Sequence, residues 1–545
     1  MHTLREPVPA RRAHQRRRKV LIVTIAAAAV LVVLLSIFLV GCGSGGQSQS
    51  QMNPQSAVNT VPGAAATVTL TSSDVESIVH AAAAATSPTT AVIAVVDRAG
   101  NVLALYRKPD APLTVAGNFG MQISTNDIAI GLARTGAFFS NDQAPLPSRT
   151  VRFISGVHFP PGVSDAPNAD WYGIENTNRG CKLSSELAAR GIHPSTALGG
   201  GPGPGIITGK TDVLDSNPNA VNPGGLPIYK GKVLVGGIGV AAVAPDVAEF
   251  TAFTGALANG FSPAPNPLAA PGQVFLNGVA LPAINQTTRP PSVGTGTFSG
   301  NYVVTPQAGQ GAPEGDLVGA HPSSNPEPAS GGLSQAEATQ ILDAAEKIAN
   351  QTRASIRLPL GSRARMVIAI SDLDGNIIAL RRMPDATVFS LDVAATKARN
   401  MVYFNGSQRS DADLNQVPTG TAVTNRTIGF GAQPFFPPGI DDSNAGPFFP
   451  LFMNDVVNPC SQGLDGGLPN GNNSGIVFFP GSTGLYRNGA LIGGLGVSGD
   501  GVDQDDYVAS GAAAEFQAPA NIRADQIFIR GARLPYFKFP RNPTN

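Results

Sequence analysis

The chain is 545 residues long, 42% of its residues are apolar, 14% are charged, and its formal net charge is zero. The apolar fraction is large enough for sizeable cores, and the length suggests roughly three to four domains. The balanced charge lacks the basic stripe of a nucleic-acid-binding protein, which argues against nucleic acid as a partner. The 63 glycines and 46 prolines predict long loops between the regular elements.

The N-terminus has the order of a secretory signal. A basic block between Arg11 and Lys19 precedes an apolar run over residues 20–40, and small residues lead from that run to Cys42. Small residues before a cysteine resemble the bacterial lipobox. The resemblance implies that residues 1–42 are a signal peptide with a lipobox and that the Cys42 thiol is lipidated, which would anchor the chain in a membrane.

An uncleaved helix is the alternative interpretation of the same segment. A run of about 21 apolar residues can span a bilayer, and the apolar region of a signal peptide is usually shorter. In either case the rest of the chain lies in the bacterial cell envelope and faces the periplasm or the cell exterior. Residues 43–66 are rich in Ser, Gln, Gly and Ala, which predicts a flexible tether.

The first folded unit, repeat one, is predicted over residues 67–284. Thr71 and Asp74 form a capping box that begins a helix. Residues 140–222 interrupt the unit with an insertion rich in Pro, Gly and Asn, and so long a loop in a compact domain is usually functional or part of an interface. The other regular elements are predicted to be a hairpin with strands 91–96 and 102–106, a helix over 127–139, a hairpin over 226–240 and a helix over 246–257.

The second folded unit, repeat two, is predicted over residues 333–545 and follows the same plan. Ser334 and Glu337 repeat the capping box. A tyrosine, a polar turn, an aliphatic run and Gly-Gly-x-Gly-Val occur in one order at Tyr229–Val240 and again at Tyr486–Val497. Self-similarity of this kind indicates a duplicated structural unit.

The second repeat also carries an insertion, and a separate segment connects the two repeats. Repeat two carries its own insertion over residues 405–480, and Phe-Pro-Pro-Gly occurs in both insertions, at residues 159–162 and 436–439. Residues 285–332 are rich in Pro, Gly and Ser, which predicts a linker between the two repeats.

The order of elements resembles the GlcG/HbpS family, which includes haem-binding secreted proteins and the C-terminal module of PduO-type proteins. Repeat two matches the family pattern better, since repeat one departs from it after Val240. The resemblance implies an α/β (α+β) fold class with two profilin-like units, each a mainly antiparallel sheet flanked by helices. Members of the family assemble from single units, so a fused pair implies an internal pseudo-dimer. The segments that carry the resemblance are Leu333–Glu337, Val367–Asp385, Asp392–Arg399 and Gly484–Asp506.

The resemblance also makes haem the expected cofactor, and haem iron is usually held by His, Met, Cys or Tyr. His80 on the first helix is the candidate ligand, and a solvated surface histidine is the alternative. Its counterpart in repeat two is Asp343, and no histidine is shared between the repeats, so a duplicated histidine-ligated site is not expected. The histidines that follow the signal are His80, His158, His193 and His321.

Two cysteines lie at similar points of the two insertions. Paired cysteines tend to be bridged in an oxidising compartment, so we predict a disulfide between Cys181 and Cys460 that joins the repeats. Catalysis by a cysteine needs a nearby base, and the sequence around these two shows none.

Several charged residues and glycines allow two interpretations each. The acidic cluster Asp500, Asp503, Asp505 and Asp506 is expected to begin the last helix, where the helix dipole favours acids, and a cation site is the alternative. Lys397 and Arg399 are expected on a solvated helix face, with contact to a ligand carboxylate such as a haem propionate as the alternative. The repeated Gly-Gly-x-Gly run allows close approach of either a ligand or another backbone segment.

The sequence therefore predicts an exported, lipid-anchored protein that binds haem or a similar small ligand and assists a sensor or uptake partner. One alternative is a non-catalytic surface protein whose insertions contact a partner. Another is an enzyme that acts with bound haem or on a small organic acid. A non-enzymatic function is favoured, because the sequence has no nucleophile elbow, zinc-protease helix or dinucleotide fingerprint.

Overall fold

The computed structural model of the chain describes residues 68–182, 197–265, 274–324, 331–468 and 471–544. The predicted signal peptide 1–42 with Cys42, the tether 43–66 and His193 lie outside the described residues. Within the described ranges, no helix is both long enough and apolar enough to cross a bilayer.

The first helix of each repeat begins where the sequence predicts. In each first helix the capping box is complete: the Thr71 or Ser334 hydroxyl accepts from the backbone three residues on, and the acid at that position accepts in return. The elements of repeat one are α1 (Ser72–Ala85), β1 (Val92–Asp97), β2 (Val102–Arg107), β3 (Thr114–Ala116), β4 (Gln122–Ser124), α2 (Thr125–Phe139), α3 (Ser148–Phe153), β5 (Gly225–Lys230), β6 (Val233–Ala241), α4 (Pro245–Ala256), β7 (Phe275–Leu276) and β8 (Val279–Ala280).

The segment between the repeats and repeat two add the remaining elements. The connecting segment contains β9 (Asn301–Val304) and β10 (Gly315–Val318). Repeat two consists of α5 (Gln335–Ala349), β11 (Val367–Ser371), β12 (Ile377–Arg382), α6 (Phe389–Asn405), α7 (Asn425–Gly431), α8 (Phe449–Val457), β13 (Ser482–Arg487), β14 (Ala490–Ser498), α9 (Val502–Ala512), β15 (Phe528–Ile529) and β16 (Ala532–Arg533).

Each repeat is built on a five-stranded antiparallel sheet, and the two sheets have the same strand order. That order is β5-β6-β1-β2-β9 in repeat one and β13-β14-β11-β12-β10 in repeat two. Alternate residues of a strand face opposite sides of a sheet. Accordingly, Ile93 and Val95 pack with α1 and α4, whereas Val92 and Ala94 pack with α2. The predicted fold class, antiparallel sheets flanked by helices, is confirmed.

The prediction that residues 285–332 serve only as a linker is incomplete. β9 pairs with β2, and β10 pairs with β12, so this segment supplies the fifth strand of both sheets. Its Pro, Gly and Ser content concealed two strands of four residues each. Each sheet therefore ends on that side in a short edge strand, which offers few unpaired backbone groups.

The Gly-Gly-x-Gly run allows a helix, rather than a ligand, to lie close to the strand. A Cβ at Gly237 or Gly239 would collide with carbonyl oxygens of α2, and a Cβ at Gly494 or Gly496 would collide with carbonyl oxygens of α6. Only glycine lets the helix backbone lie this close to the strand. The repeated run therefore fixes the position of the central helix in both repeats.

The two repeats pack against each other through these central helices. The rings of Phe139 on α2 and Phe389 on α6 stack with their centroids 4.2 Å apart. The Val388 N–H donates to the Phe138 carbonyl oxygen over 3.0 Å, and the Asn178 N–H donates to Asp392 Oδ2 over 2.6 Å. As a result α6 is buried along both its sheet-facing and its outward sides.

Candidate functional site

One location in each repeat brings together the end of a central strand, the start of the last helix, the central helix and the loop before the second hairpin. We call this location the strand-end site. It comprises residues 128–132, 222–224 and 240–248 in repeat one, and residues 393–397, 479–481 and 497–505 in repeat two. The two sites are equivalent because β6 and β14 pair in the same register with their neighbours, with Gly239 opposite Ala94 and Gly496 opposite Ala369.

In repeat two the strand-end site is filled by a buried ion pair. Lys397 Nζ donates to Asp505 Oδ2 over 3.1 Å and to the Val497 carbonyl oxygen over 2.8 Å. The Phe479 ring lies beneath the ammonium group, with its centroid 5.0 Å from Nζ. Both charged side chains are fully enclosed.

Burial shifts the protonation of both partners, and each partner opposes the shift of the other. Burial raises the pKa of Asp505 to about 7, against the attraction of the Lys397 ammonium. Burial lowers the pKa of Lys397, against the attraction of the Asp505 carboxylate. Asp505 Oδ1 has no hydrogen-bond partner among the described residues. The pair is therefore held in a low-dielectric site where either charge alone would be unfavourable.

The other acids of the predicted acidic cluster are also engaged by cations of the chain. Asp500 pairs with Arg357, and Arg426 contacts Asp506 over 2.5 Å and Asp503 over 2.7 Å. No group of three metal-ligating side chains is present in the described part of the chain. The cluster is thus a set of ion pairs that fix the start of α9.

In repeat one the strand-end site is an open cavity of about 170 Å³. Leu132 stands where repeat two has Lys397, Ala248 where it has Asp505, and Asn222 where it has Phe479. Both charges of the pair are absent together. The cavity is lined by Val115, Ala116, Ile128, Leu132, Asn222, Pro223, Gly224, Val240, Ala241, Ala242, Val243, Pro245 and Ala248.

A second ion pair beside the site is present in both repeats. Arg149 Nε and Nη2 contact the two carboxylate oxygens of the buried Glu249 over 2.8 and 2.9 Å. The equivalent Arg426 contacts Asp506 on α9. The neighbouring threonines also correspond, since the Thr150 and Thr427 hydroxyls donate to the carbonyl oxygens of Pro282 and Pro535. These contacts tie each insertion to the last helix and the C-terminal segment of its repeat.

Comparison with known proteins adds the family. The family model "Haem degrading protein HbpS-like" matches residues 333–514, which extend from the capping box of α5 to the end of α9. The chain contains a GlcG/HbpS-like domain. Corrinoid adenosyltransferase PduO of Salmonella typhimurium is 28% identical to this chain over 165 residues, which are 30% of this chain and 35% of PduO. The match thus spans about a third of the length of that relative.

Three solved structures are similar to parts of the chain. The PduOC:heme complex is 24% identical, covers 34% of this chain and 97% of its own, and gives a TM-score of 0.23. A double mutant of Streptomyces reticuli HbpS is 18% identical and covers 36% and 98%, with a TM-score of 0.20. Klebsiella pneumoniae ORFY is 21% identical and covers 33% and 88%, with a TM-score of 0.22.

The candidate ligand His80 lies on α1 of repeat one, outside the matched HbpS-like domain. Its ring is partly exposed, stacks on Phe298 with the centroids 3.8 Å apart, and has Nε2 3.9 Å from Glu76. Phe298 also stacks on Tyr106 at 4.7 Å. In the HbpS-like domain the equivalent Asp343 contacts Arg381 over 2.8 Å. The proposed role of His80 as an iron ligand remains a prediction.

The other described histidines have different surroundings. Both ring nitrogens of His158 are occupied, Nδ1 by Ser216 at 2.6 Å and Nε2 by Asp441 at 2.7 Å. His321 lies exposed in the connecting segment, with Nδ1 3.0 Å from the Pro322 carbonyl oxygen. His158 therefore holds the two insertions together and is not available to a ligand.

The insertions contact each other through their described residues. The structure contains the predicted disulfide between Cys181 and Cys460. The Asp165 N–H donates to Asp441 Oδ2 over 3.1 Å, and the Asp441 N–H donates back to Asp165 Oδ1 over 2.9 Å. These residues join repeat one to the HbpS-like domain. These contacts of the insertions are therefore contacts between two parts of the same chain.

The expectation that Lys397 and Arg399 form a solvated helix face is wrong. Both are fully buried, because other segments of repeat two enclose them, with Asp505 and Phe479 against Lys397 and Ser474 against Arg399. Arg399 Nε donates to the Gly375 carbonyl oxygen over 2.8 Å, and Arg134 Nε donates to that of Gly100 over 2.9 Å in repeat one. These arginines therefore support the turn of the first hairpin in each repeat.

Sequence reasoning also missed Lys210. This fully buried lysine lies among the rings of Phe119, Tyr172 and Phe452, with the Tyr172 centroid 4.9 Å from Nζ, and burial lowers its pKa to about 8. It belongs to the long insertion of repeat one, where no periodic pattern of apolar residues indicates which side chains are buried. The replacement of Lys397 and Asp505 by Leu132 and Ala248 at the strand-end site is visible in the sequence when the two repeats are aligned position by position.

Proposed function

We propose that this chain is an exported, lipid-anchored haem-binding protein in which repeat one holds haem and the HbpS-like domain is its structural partner. The description of the matching family, "Haem degrading protein HbpS-like", supports haem as the ligand. The observation that carries the assignment to repeat one is the surface around His80. There a helix-borne imidazole is next to a cluster of aromatic rings.

The residues around His80 fit a porphyrin in their chemistry. Imidazole is a common axial ligand of haem iron. Phe298 and the partly exposed Tyr302 supply flat apolar area, which is what a macrocycle requires from its contacts, and the buried Tyr106 supports the Phe298 ring. Phe298 is 40% exposed, so this aromatic surface is open to a ligand from the solvent. When bound, haem would supply redox or ligand-sensing chemistry.

The HbpS-like domain lacks the same donor. Asp343 stands in place of the histidine. Arg381 forms ion pairs with Asp343 and also with Asp316 and Glu346. A carboxylate held by an arginine does not offer iron a neutral imidazole nitrogen. We therefore expect one haem per chain.

Hemin titration of the purified chain tests the proposal. We expect a Soret shift that saturates at one hemin per chain and that is lost in His80→Ala. His321→Ala, which removes an exposed histidine from the connecting segment, is the matched control and should keep the shift. Absence of a spectral change at micromolar hemin, or a full shift in His80→Ala, would contradict this assignment.

The anchoring part of the proposal has separate support. The order of basic, apolar and small residues before Cys42 favours lipidation, and the Cys181–Cys460 disulfide is typical of an oxidising compartment. We expect cells fed a labelled fatty acid to label the wild-type chain and not Cys42→Ser. Equal labelling of both chains would refute lipidation at this cysteine.

A further inference from the structure

The cavity at the strand-end site of repeat one shares no lining residue with the surface around His80, so haem binding there leaves it without a role. Protein interiors are packed as densely as organic crystals, and cavities larger than a water molecule are few. Repeat one nevertheless keeps an opening of about 170 Å³ at the end of β6. The equivalent place in repeat two is filled, which shows that the same backbone can close it.

The cavity is electrically neutral. Repeat two places Lys397 and Asp505 in the site, and both charges are absent in repeat one, where Leu132 and Ala248 stand. The ion pair that remains nearby, Arg149 with Glu249, is satisfied internally. Since an unpaired charge in such a site is costly, a charged occupant has no partner here and a neutral one is favoured.

Asn222 carries the one polar side chain of the lining, and backbone groups supply the rest of its polar surface. Val115, Ile128 and Leu132 contribute aliphatic walls. The Asn222 backbone is fixed, since its N–H donates to Thr208 and its carbonyl oxygen accepts from Ser148. Its side-chain amide makes no hydrogen bond to any described residue, so it can bind a hydroxyl or carbonyl group of an occupant.

The volume limits the size of the occupant. An engineered apolar cavity of about 150 Å³ holds one benzene molecule. Pockets for drug-sized ligands start at about 300 Å³. The cavity is thus too small for a porphyrin and matches roughly six to nine non-hydrogen atoms. Ala116 and Pro245 at the rim are exposed, so the cavity can be reached from solvent.

We propose that the strand-end cavity of repeat one binds one small neutral molecule with a compact apolar body and a single hydroxyl or carbonyl group, which Asn222 recognises. The HbpS-like domain cannot bind this molecule because the Lys397–Asp505 pair and Phe479 occupy the same space. The duplicated unit then has one open and one filled copy of a single binding site.

Calorimetric titration of the purified chain with benzyl alcohol tests the proposal, since this molecule has a six-carbon ring and one hydroxyl group. We expect saturable binding at one molecule per chain, and binding of benzoate at least tenfold weaker, because the carboxylate would enter a neutral cavity. Leu132→Lys combined with Ala248→Asp rebuilds the pair of repeat two and should abolish binding while the circular dichroism spectrum stays unchanged.

Two further variants keep the test decisive. Should the rebuilt pair prevent folding, Asn222→Leu replaces only the amide and should weaken benzyl alcohol at least tenfold while leaving toluene binding unchanged. His80→Ala should bind benzyl alcohol like the wild type, which separates this site from the haem proposal. No saturable binding by the wild type, or wild-type affinity in a folded double variant carrying Leu132→Lys and Ala248→Asp, would overturn the inference.

Discussion

The strand-end sites of the two repeats have the same backbone arrangement but different side chains. In repeat two, Lys397, Asp505 and Phe479 fill the space, whereas Leu132, Ala248 and Asn222 leave about 170 Å³ open in repeat one. Either charge alone would remain unpaired in such an enclosed site, which is unfavourable. The difference teaches that a duplicated backbone can hold a complete ion pair in one copy and none in the other, and that the copy without the pair has a neutral cavity.

What the repeats keep in common is equally informative. The glycines under the central helix, the arginine that supports the first hairpin and the ion pair from the insertion to the last helix are present in both. These contacts hold the elements at fixed distances. The duplicated frame therefore stays constant while the side chains that occupy the strand-end site change.

The largest expected effect follows from breaking the buried pair on one side. Lys397→Leu leaves Asp505 enclosed without a cation and should lower the free energy of unfolding by about 3–5 kcal/mol. Lys397→Leu with Asp505→Ala, which copies repeat one, should lower it by at most about 2 kcal/mol, since only a cavity remains. Urea denaturation of both variants measures the difference. A double variant as unstable as the single one would show that the charges do not act as a pair.

The shared ion pairs should differ in strength between the repeats. Arg426→Ala leaves Asp506 beside Asp503 and Asp505, so we expect a loss of about 3 kcal/mol. Glu249 keeps two backbone N–H donors after Arg149→Ala, just as Asp506 keeps two after Arg426→Ala, so the neighbouring carboxylates alone distinguish the variants and we expect a loss of about 2 kcal/mol for Arg149→Ala. Chemical denaturation measures both losses, with exposed Lys347→Ala as the control. Equal losses would mean that the neighbouring carboxylates add no repulsion.

Sequence patterns predicted those parts of the fold that depend on local contacts. The capping boxes at Thr71 and Ser334, the hairpins and the helices were found because capping and periodicity act over a few residues. The disulfide was predicted from the matching positions of Cys181 and Cys460 in a duplicated chain. Repetition thus supplied long-range information that a single copy would not contain.

What could not be predicted depends on packing between distant segments. Lys397 and Arg399 suggested a solvated face, but the insertion and the last helix of repeat two bury them, and no property of α6 itself reveals that cover. β9 and β10 lie in a segment whose composition is typical of a linker, and they become strands because an edge is available to them. The cavity goes with the replacement of the charged Lys397 and Asp505 of repeat two by Leu132 and Ala248 in repeat one. This difference appears only when the repeats are compared.

The disulfide is a covalent link between the two members of the comparison. Cys181→Ser with Cys460→Ser should lower the free energy of unfolding by about 2–4 kcal/mol, because the unfolded chain gains freedom when a long loop is opened. Reducing agent should destabilise the wild type equally and leave the variant unaffected. Calorimetry with and without dithiothreitol checks this expectation. Unchanged stability of the variant would show that noncovalent contacts alone hold the repeats together.

Per pH unit, the smallest effect is a difference in pH dependence that only repeat two should cause. Burial raises the pKa of Asp505 to about 7 from its ordinary value of 3.8, so the folded chain keeps this proton over a range where the unfolded chain has lost it. Stability from this group is therefore full below pH 3.8, falls as the pH rises to about 7, and is constant above. The slope is at most about 1.4 kcal/mol per pH unit. Subtracting the curve of Lys397→Leu with Asp505→Ala from that of the wild type isolates it, since other buried acids remain in both chains. If the two curves are parallel between about pH 4 and 7, Asp505 is ionised in the folded chain throughout, and the site in repeat two is held by a full ion pair at every pH measured.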